Sequence, residues 1–170
     1  NFGSTAWTIA FWIDDMPASS TLQYQFGDAG AASFRCFNNG VAGANNFILR
    51  GGGMTDIECT GCAPTNAPSM STFVYDPALG NVKAYHDGVL VNTVNQGALN
   101  ISGTGLRVGT YTGTGMAANQ LMDEFRIYDR ALDATEVFDT YMACLPLVML
   151  NEDAGIAGFI NPVIPTCQFN

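Results

Sequence analysis

The sequence predicts an all-β fold: a two-sheet antiparallel β-sandwich of jelly-roll type, closed by one short C-terminal helix. Three observations carry this. Many short runs alternate apolar and polar residues and are broken by turn signals, the pattern of half-buried strands. The gaps between those runs lack helical period, which argues against a parallel sheet with crossover helices. One helix start is written late in the chain, where Asp133 followed by Glu136 forms a capping box.

The elements follow in order. Trp7, Ile9, Phe11 and Ile13 alternate against Thr8, Ala10 and Trp12, giving a first strand that Pro17 stops. Strands are expected at 21–26, 33–37 and 46–50, separated by Gly27-Asp28-Ala29-Gly30 and by Asn38-Asn39-Gly40, a turn that tolerates positive φ. Ile57 lies on a short strand leading into Cys59-Thr-Gly-Cys62, and the Pro/Ser/Thr-rich stretch 63–71 reads as a surface loop. A three-strand meander over 72–75, 81–86 and 89–94 turns at Asp76–Gly80 and at Asp87-Gly88. A short strand at 106–108 and a Gly/Thr-rich loop at 110–119 precede the closing strand. There Leu121, Asp123, Phe125 and Ile127 share one face, with Met122, Glu124, Arg126 and Tyr128 on the other. Ala134, Val137, Phe138 and Tyr141 then recur at helical spacing. The expected organisation is a sandwich over 1–144 and an apolar C-terminal tail over 145–170 that packs on the sandwich or on a partner.

Composition narrows the function classes. The chain has 170 residues, enough for one domain with a sizeable core. Apolar residues make up 48% and charged residues only 12%, about half the usual share. Thr, Ser, Asn, Gln and Gly must therefore supply the solvated face, which suits a secreted or surface β protein. Net charge is −9 with six basic residues, too few to build a phosphate-tracking stripe, so nucleic acid is not expected as a partner. No apolar run reaches the roughly 18 residues of a membrane span, so membrane insertion is not expected either. The chain opens on Asn1 with a strand almost at once, and reads as a mature or excised segment of something longer.

MDEFRIYDRALDATEV, residues 122–137, resembles the closing signature of laminin-G-like domains in the concanavalin A-like lectin/glucanase superfamily. TAWTIAFWI at 5–13, STFVYDPALGNVKAYHDGVLV at 71–91 and GLRVG at 105–109 are similar to that family's other strands, in the same order. The resemblance implies a concanavalin A-like sandwich. It also implies a strand before Trp7 that this chain lacks, to be replaced by another part of the chain or by a neighbouring domain. In relatives the aspartate matching Asp123 holds the end of the sandwich, by loop hydrogen bonds or by a calcium ion.

Candidate chemistry can be weighed residue by residue. Cys36, Cys59, Cys62, Cys144 and Cys167 are an odd set, so at least one stays unpaired within the chain. Disulfides suit a secreted context; Cys144 with Cys167 would pin the tail, and the other three would supply one bridge. Free thiols remain the alternative, and a metal or redox role lacks its usual second motif. Asp123, if its face is the inner one, is a buried carboxylate that needs hydrogen bonds or a cation. Structural calcium is the cofactor this suggests, with Asp28 or Asp14 as a second ligand. For sugar, an aromatic platform beside amide groups is the pattern sought. Trp12, Tyr111 and Asn119 are the candidate ligand-binding residues, with Tyr24 and Tyr85 as further aromatics, against the plain alternative that the tryptophans are core. Glycosidases of this superfamily pair glutamates along one strand, a spacing absent here, and Ser–His–Asp chemistry rests on His86 alone.

The reading is a non-catalytic extracellular lectin-like or cell-adhesion module that recognises glycan or a surface protein through loops at one sandwich edge. One alternative is a structural subunit of a surface assembly such as a filament, sheath or virion. There the tail and open first-strand position would make contacts to a homo-oligomer or to a neighbouring domain of the same chain. Another is an accessory domain of a glycoside hydrolase.

Overall fold

The structure is a computed structural model that describes residues 4–14, 16, 21–30, 33–65, 67–101, 103 and 105–144. Its strands are β1 (Trp7–Asp14), β2 (Gln23–Asp28), β3 (Phe34–Asn38), β4 (Phe47–Gly51), β5 (Met54–Cys59) and β6 (Ser69–Asp76). They continue as β7 (Asn81–His86), β8 (Val89–Asn95), β9 (Arg107–Val108), β10 (Thr110–Tyr111), β11 (Thr114–Gly115) and β12 (Leu121–Tyr128), and one helix, α1 (Ala134–Ala143), follows. Two five-stranded antiparallel sheets form a sandwich. The first runs β12-β1-β6-β7-β8, the second β5-β4-β3-β2-β9, and β10-β11 is a separate hairpin. The 110–119 stretch, read as a plain loop, thus contains a hairpin.

Alternation builds the interior. Trp7, Ile9, Phe11 and Ile13 of β1 face Phe26, Phe34 and Phe47 of the second sheet, all essentially without exposure. Phe11 is the hub: its ring meets Phe26 and Phe47, each at 5.7 Å, and stacks on Phe125 at 6.0 Å. Burial of each such side chain contributes about 1.5–3 kcal/mol. Near the sheet ends the Tyr75 hydroxyl accepts from Leu99 N and donates to Gly97 O, fixing the chain that leaves β8.

The outer face of the first sheet is also covered. Val74 and Tyr85 pack against Leu132 and Val137, and Trp12 and Met70 pack against Cys144 with Tyr141. The Asp133–Glu136 capping box is present, with each side chain accepting from the other's backbone N–H. Thr8 anchors the Arg-Ala-Leu corner, since its buried hydroxyl donates to Arg130 O and accepts from Leu132 N.

One expectation about β12 needs correction. Met122 and Phe125 both pack on the inner core, which strict alternation forbids. Glu124, with φ +50°, forms a bulge that resets the period. Met122 therefore lies opposite Ile13, and Asp123 opposite Trp12, on the outer side rather than inside. Cys59 and Cys62 are disulfide-bonded, Cys36 is a free buried thiol whose pKa burial pushes up, and Cys144 is disulfide-bonded. Cys167 and the tail at 145–170 lie outside the described residues. Among the described residues no helix is long and apolar enough to cross a membrane.

Candidate functional site

The outer face of the second sheet carries a row of arginines, and its registers explain why. Arg35 of β3 lies opposite Arg50 of β4 and, on its other side, opposite Gly27 of β2. Gly27 in turn lies opposite Arg107 of β9. Directly opposed residues share a face, and Arg35 is flanked along β3 by the inward Phe34 and Cys36. Three of the chain's six cations thus stand in one cross-strand row, in a protein of net charge −9.

A second row runs beside it. Ile48, Phe37 and Tyr24 are register partners on β4, β3 and β2. The Tyr24 ring lies 5.9 Å from Phe37 and 5.0 Å from Tyr111, which the β10-β11 hairpin lays across β2. Gly27 makes that possible, because a Cβ there would stand 2.5 Å from the Tyr111 ring. The cations and rings interlock: Arg35 sits 5.6 Å over Phe37 and 5.4 Å over Tyr111, and Arg50 sits 5.3 Å over Phe37.

The arginines differ in their partners. Arg50 is chelated by Asp56 through Nε and Nη2, and this hydrogen bonding holds its pKa above the ordinary value. Arg35 donates Nη1 to Ser33 O at 2.7 Å. Among the described residues no carboxylate forms an ion pair with Arg35 or Arg107. Phe37 is 2% exposed beneath Arg35 and Arg50, so the face offers the half-buried Tyr24 and Tyr111 rings for apolar sugar faces and guanidinium donors for oxygen atoms, on strands rather than on free loops.

A second feature lies at the β12 edge, a cleft of ≈ 530 Å³ lined by residues that include Val108, Met116, Gln120 and Asp123. Behind it Gln120 Nε2 donates to Gln25 Oε1 at 3.1 Å, tying the turn before β12 to the second sheet. Its acids are engaged. Asp123 Oδ1 accepts from Glu124 N at 2.7 Å, and the Glu124 carboxylate pairs with Arg126.

The residues singled out from sequence fall in different places. Tyr111 joins the aromatic–arginine face. Trp12 is 4% exposed on the far side of the sandwich, stacked on Tyr141 at 5.7 Å. Asn119 is exposed in the turn before β12, with φ +67°. Asp28 accepts from Gly30 N through Oδ1 and from Gly105 N through Oδ2. Among the described residues no three of His, Cys, Asp or Glu gather closely enough to hold a metal ion. Sequence reasoning missed Arg35, Arg50, Arg107 and Phe37. Alternation in β3 and β4 does mark Arg35, Phe37 and Arg50 as outward, but only strand register brings Arg107 beside them.

A laminin-G-type model of the concanavalin A-like lectin/glucanases superfamily matches residues 1–138. No curated protein matches the chain. Among solved structures, one similar fold is a protein of Bacteroides ovatus ATCC 8483 named as a candidate carbohydrate binding protein, with a TM-score of 0.66 at 15% identity. The match covers 80% of this chain and 40% of that one. Another is the binding domain of botulinum neurotoxin DC in complex with rat synaptotagmin II, with a TM-score of 0.61 at 14% identity, covering 82% of this chain and 36% of that one. A third is the CBM40 of the Ruminococcus gnavus IT-sialidase bound to alpha2,3 sialyllactose, with a TM-score of 0.60 at 15% identity, covering 82% and 84%. At this identity the likeness is one of fold, and the chain spans two fifths or less of the first two proteins.

Proposed function

The chain belongs to the concanavalin A-like lectin/glucanase superfamily, and from that premise we propose that it is a non-catalytic, extracellular glycan-binding module. The observation that carries this reading is the grouping of the half-buried Tyr24 and Tyr111 rings with Arg35 on an outer sheet face, over a covered Phe37. Aromatic faces take the C–H surface of a sugar, and convergent polar groups orient its hydroxyls. In this reading the site lies on the sheet rather than in the edge loops expected from sequence, with the β10-β11 hairpin contributing Tyr111. Cleavage chemistry would need two carboxylates flanking a bond. Asp123 and Glu124, the acids of the edge cleft, are instead engaged in local contacts. The Cys59–Cys62 bridge is compatible with an oxidising compartment.

The test is retention on a glycan array by the wild-type chain and by Tyr111→Ala and Tyr24→Ala. The expected result is that either substitution removes binding while the melting temperature stays close to wild type. Binding that survives both, or no retention of any glycan, removes this site.

A second reading is favoured by one observation: among the described residues β12 ends the first sheet, with Leu121 and Ile127 each nearly half exposed along it. In that reading the edge takes a further strand, from residues 145–170 or from another copy, in a surface assembly. Truncation after residue 144 that leaves a monomer of unchanged stability would dispose of it.

A further inference from the structure

We infer that the glycan taken by this face carries an acidic group, carboxylate or sulfate, that seats on Arg35 with Arg107 beside it and a sugar ring against Tyr111. This deepens the reading above and rests on it. Like charges placed directly opposite on neighbouring strands destabilise a sheet. Arg35 and Arg50 are so placed, and Arg107 follows one strand beyond Gly27. Asp56 neutralises Arg50 alone. The backbones of Arg35 and Arg107 stand two strand spacings apart, about 10 Å, with the Tyr111 ring over the glycine between them.

The arrangement is also preorganised. Arg35 is held between the Phe37 and Tyr111 rings and by the Ser33 carbonyl. A guanidinium fixed in this way keeps further N–H donors for a planar acid and loses little side-chain entropy on binding. A neutral sugar would use the rings and leave Arg35 and Arg107 without an anionic partner among the described residues. The overall charge of −9 repels a long polyanion beyond the row, so the inference is a glycan with isolated acidic groups, not a densely charged polymer.

The experiment uses the full chain and matched ligand pairs that differ only in charge: trigalacturonate against its methyl ester, and 3-sulfolactose against lactose. Titration calorimetry should show the wild type preferring the charged member of at least one pair by about tenfold or more, the scale of charge-assisted hydrogen bonds. Arg35→Gln should abolish that preference, and raised salt should reduce it. Arg107→Gln, at an exposed position, should weaken it and serves as the informative variant if Arg35→Gln misfolds. Which pair responds distinguishes carboxylate from sulfate. Tyr111-dependent binding of the neutral members with no charge preference would overturn the acidic assignment and leave the glycan reading intact. Absence of binding to any member here and to any glycan on an array would remove both. Equal retention of a short oligonucleotide would overturn it as well, by showing a generic anion surface.

Discussion

Tyr111 lies over Gly27 so closely that a single added methyl at Gly27 would come within 2.5 Å of its ring. The same methyl would stand 3.0 Å from Arg35 Cβ and from Phe34 O. Gly27 is in β2, so the substitution tests space. Gly27→Ala is expected to push the Tyr111 ring off the face, weaken glycan binding at least as much as Tyr111→Ala, and cost about 1–3 kcal/mol of stability from overpacking. Calorimetric titration beside a denaturant melt checks this. Unchanged affinity would mean the ring is not part of the site.

The Thr8 hydroxyl holds the corner that places α1. It bonds both Arg130 O and Leu132 N from a fully buried position. Thr8→Val keeps the shape and leaves a buried donor and acceptor unpaired, each costing about 1–3 kcal/mol. A clear fall in melting temperature is expected, with glycan affinity unchanged because the corner sits on the other sheet. A variant as stable as wild type would show that the corner is held elsewhere.

The parts of this molecule that could be read from its sequence are those governed by local period. Trp7, Ile9, Phe11 and Ile13 alternate along one strand, and Asp133 with Glu136 caps within one helical turn, so both needed no tertiary information. Alternation carried through Glu124 puts Asp123 on the face of Phe125, but the left-handed backbone at Glu124 resets the period. A non-glycine residue at positive φ leaves almost no mark in sequence. The arginine row was hidden for a different reason. Residues 35, 50 and 107 meet only through the pairing of β3 with β4 and of β2 with both β3 and β9. Trp12 illustrates the converse, since an outward strand position became covered once the helix brought Tyr141 onto it.

The helix start should weaken in acid. The Arg130 hydrogen bond, then that from the Asp133 backbone, holds the Glu136 carboxyl below its ordinary pKa. A carboxyl depressed in the folded state stabilises fully above its unfolded pKa, and that contribution is lost as pH falls through the folded value. Helix docking is therefore expected to hold at neutral pH and loosen only below the usual carboxylate range. Near-ultraviolet circular dichroism, to which the Trp12–Tyr141 stack contributes, should follow it. Glu136→Gln should flatten the acid limb; an unaltered limb would assign it to other groups.

Chelation should leave the fold alone. Calcium takes six to eight oxygen ligands, several of them carboxylate. Asp28 spends Oδ1 on Gly30 N at 2.8 Å and Oδ2 on Gly105 N at 2.9 Å, joining the turn after β2 to the segment before β9. Asp123 spends Oδ1 on Glu124 N within the β12 bulge. Both carboxylates thus act as acceptors for backbone N–H groups, which is enough to explain acids at these positions. The melting temperature is expected to be the same in EDTA and in millimolar calcium. Asp28→Ala should lower it equally in both, by an amount on the scale of two charge-assisted hydrogen bonds, about 3–6 kcal/mol at most. A melting shift with EDTA that calcium reverses, and that Asp28→Ala or Asp123→Ala abolishes, would show instead that these carboxylates serve a cation.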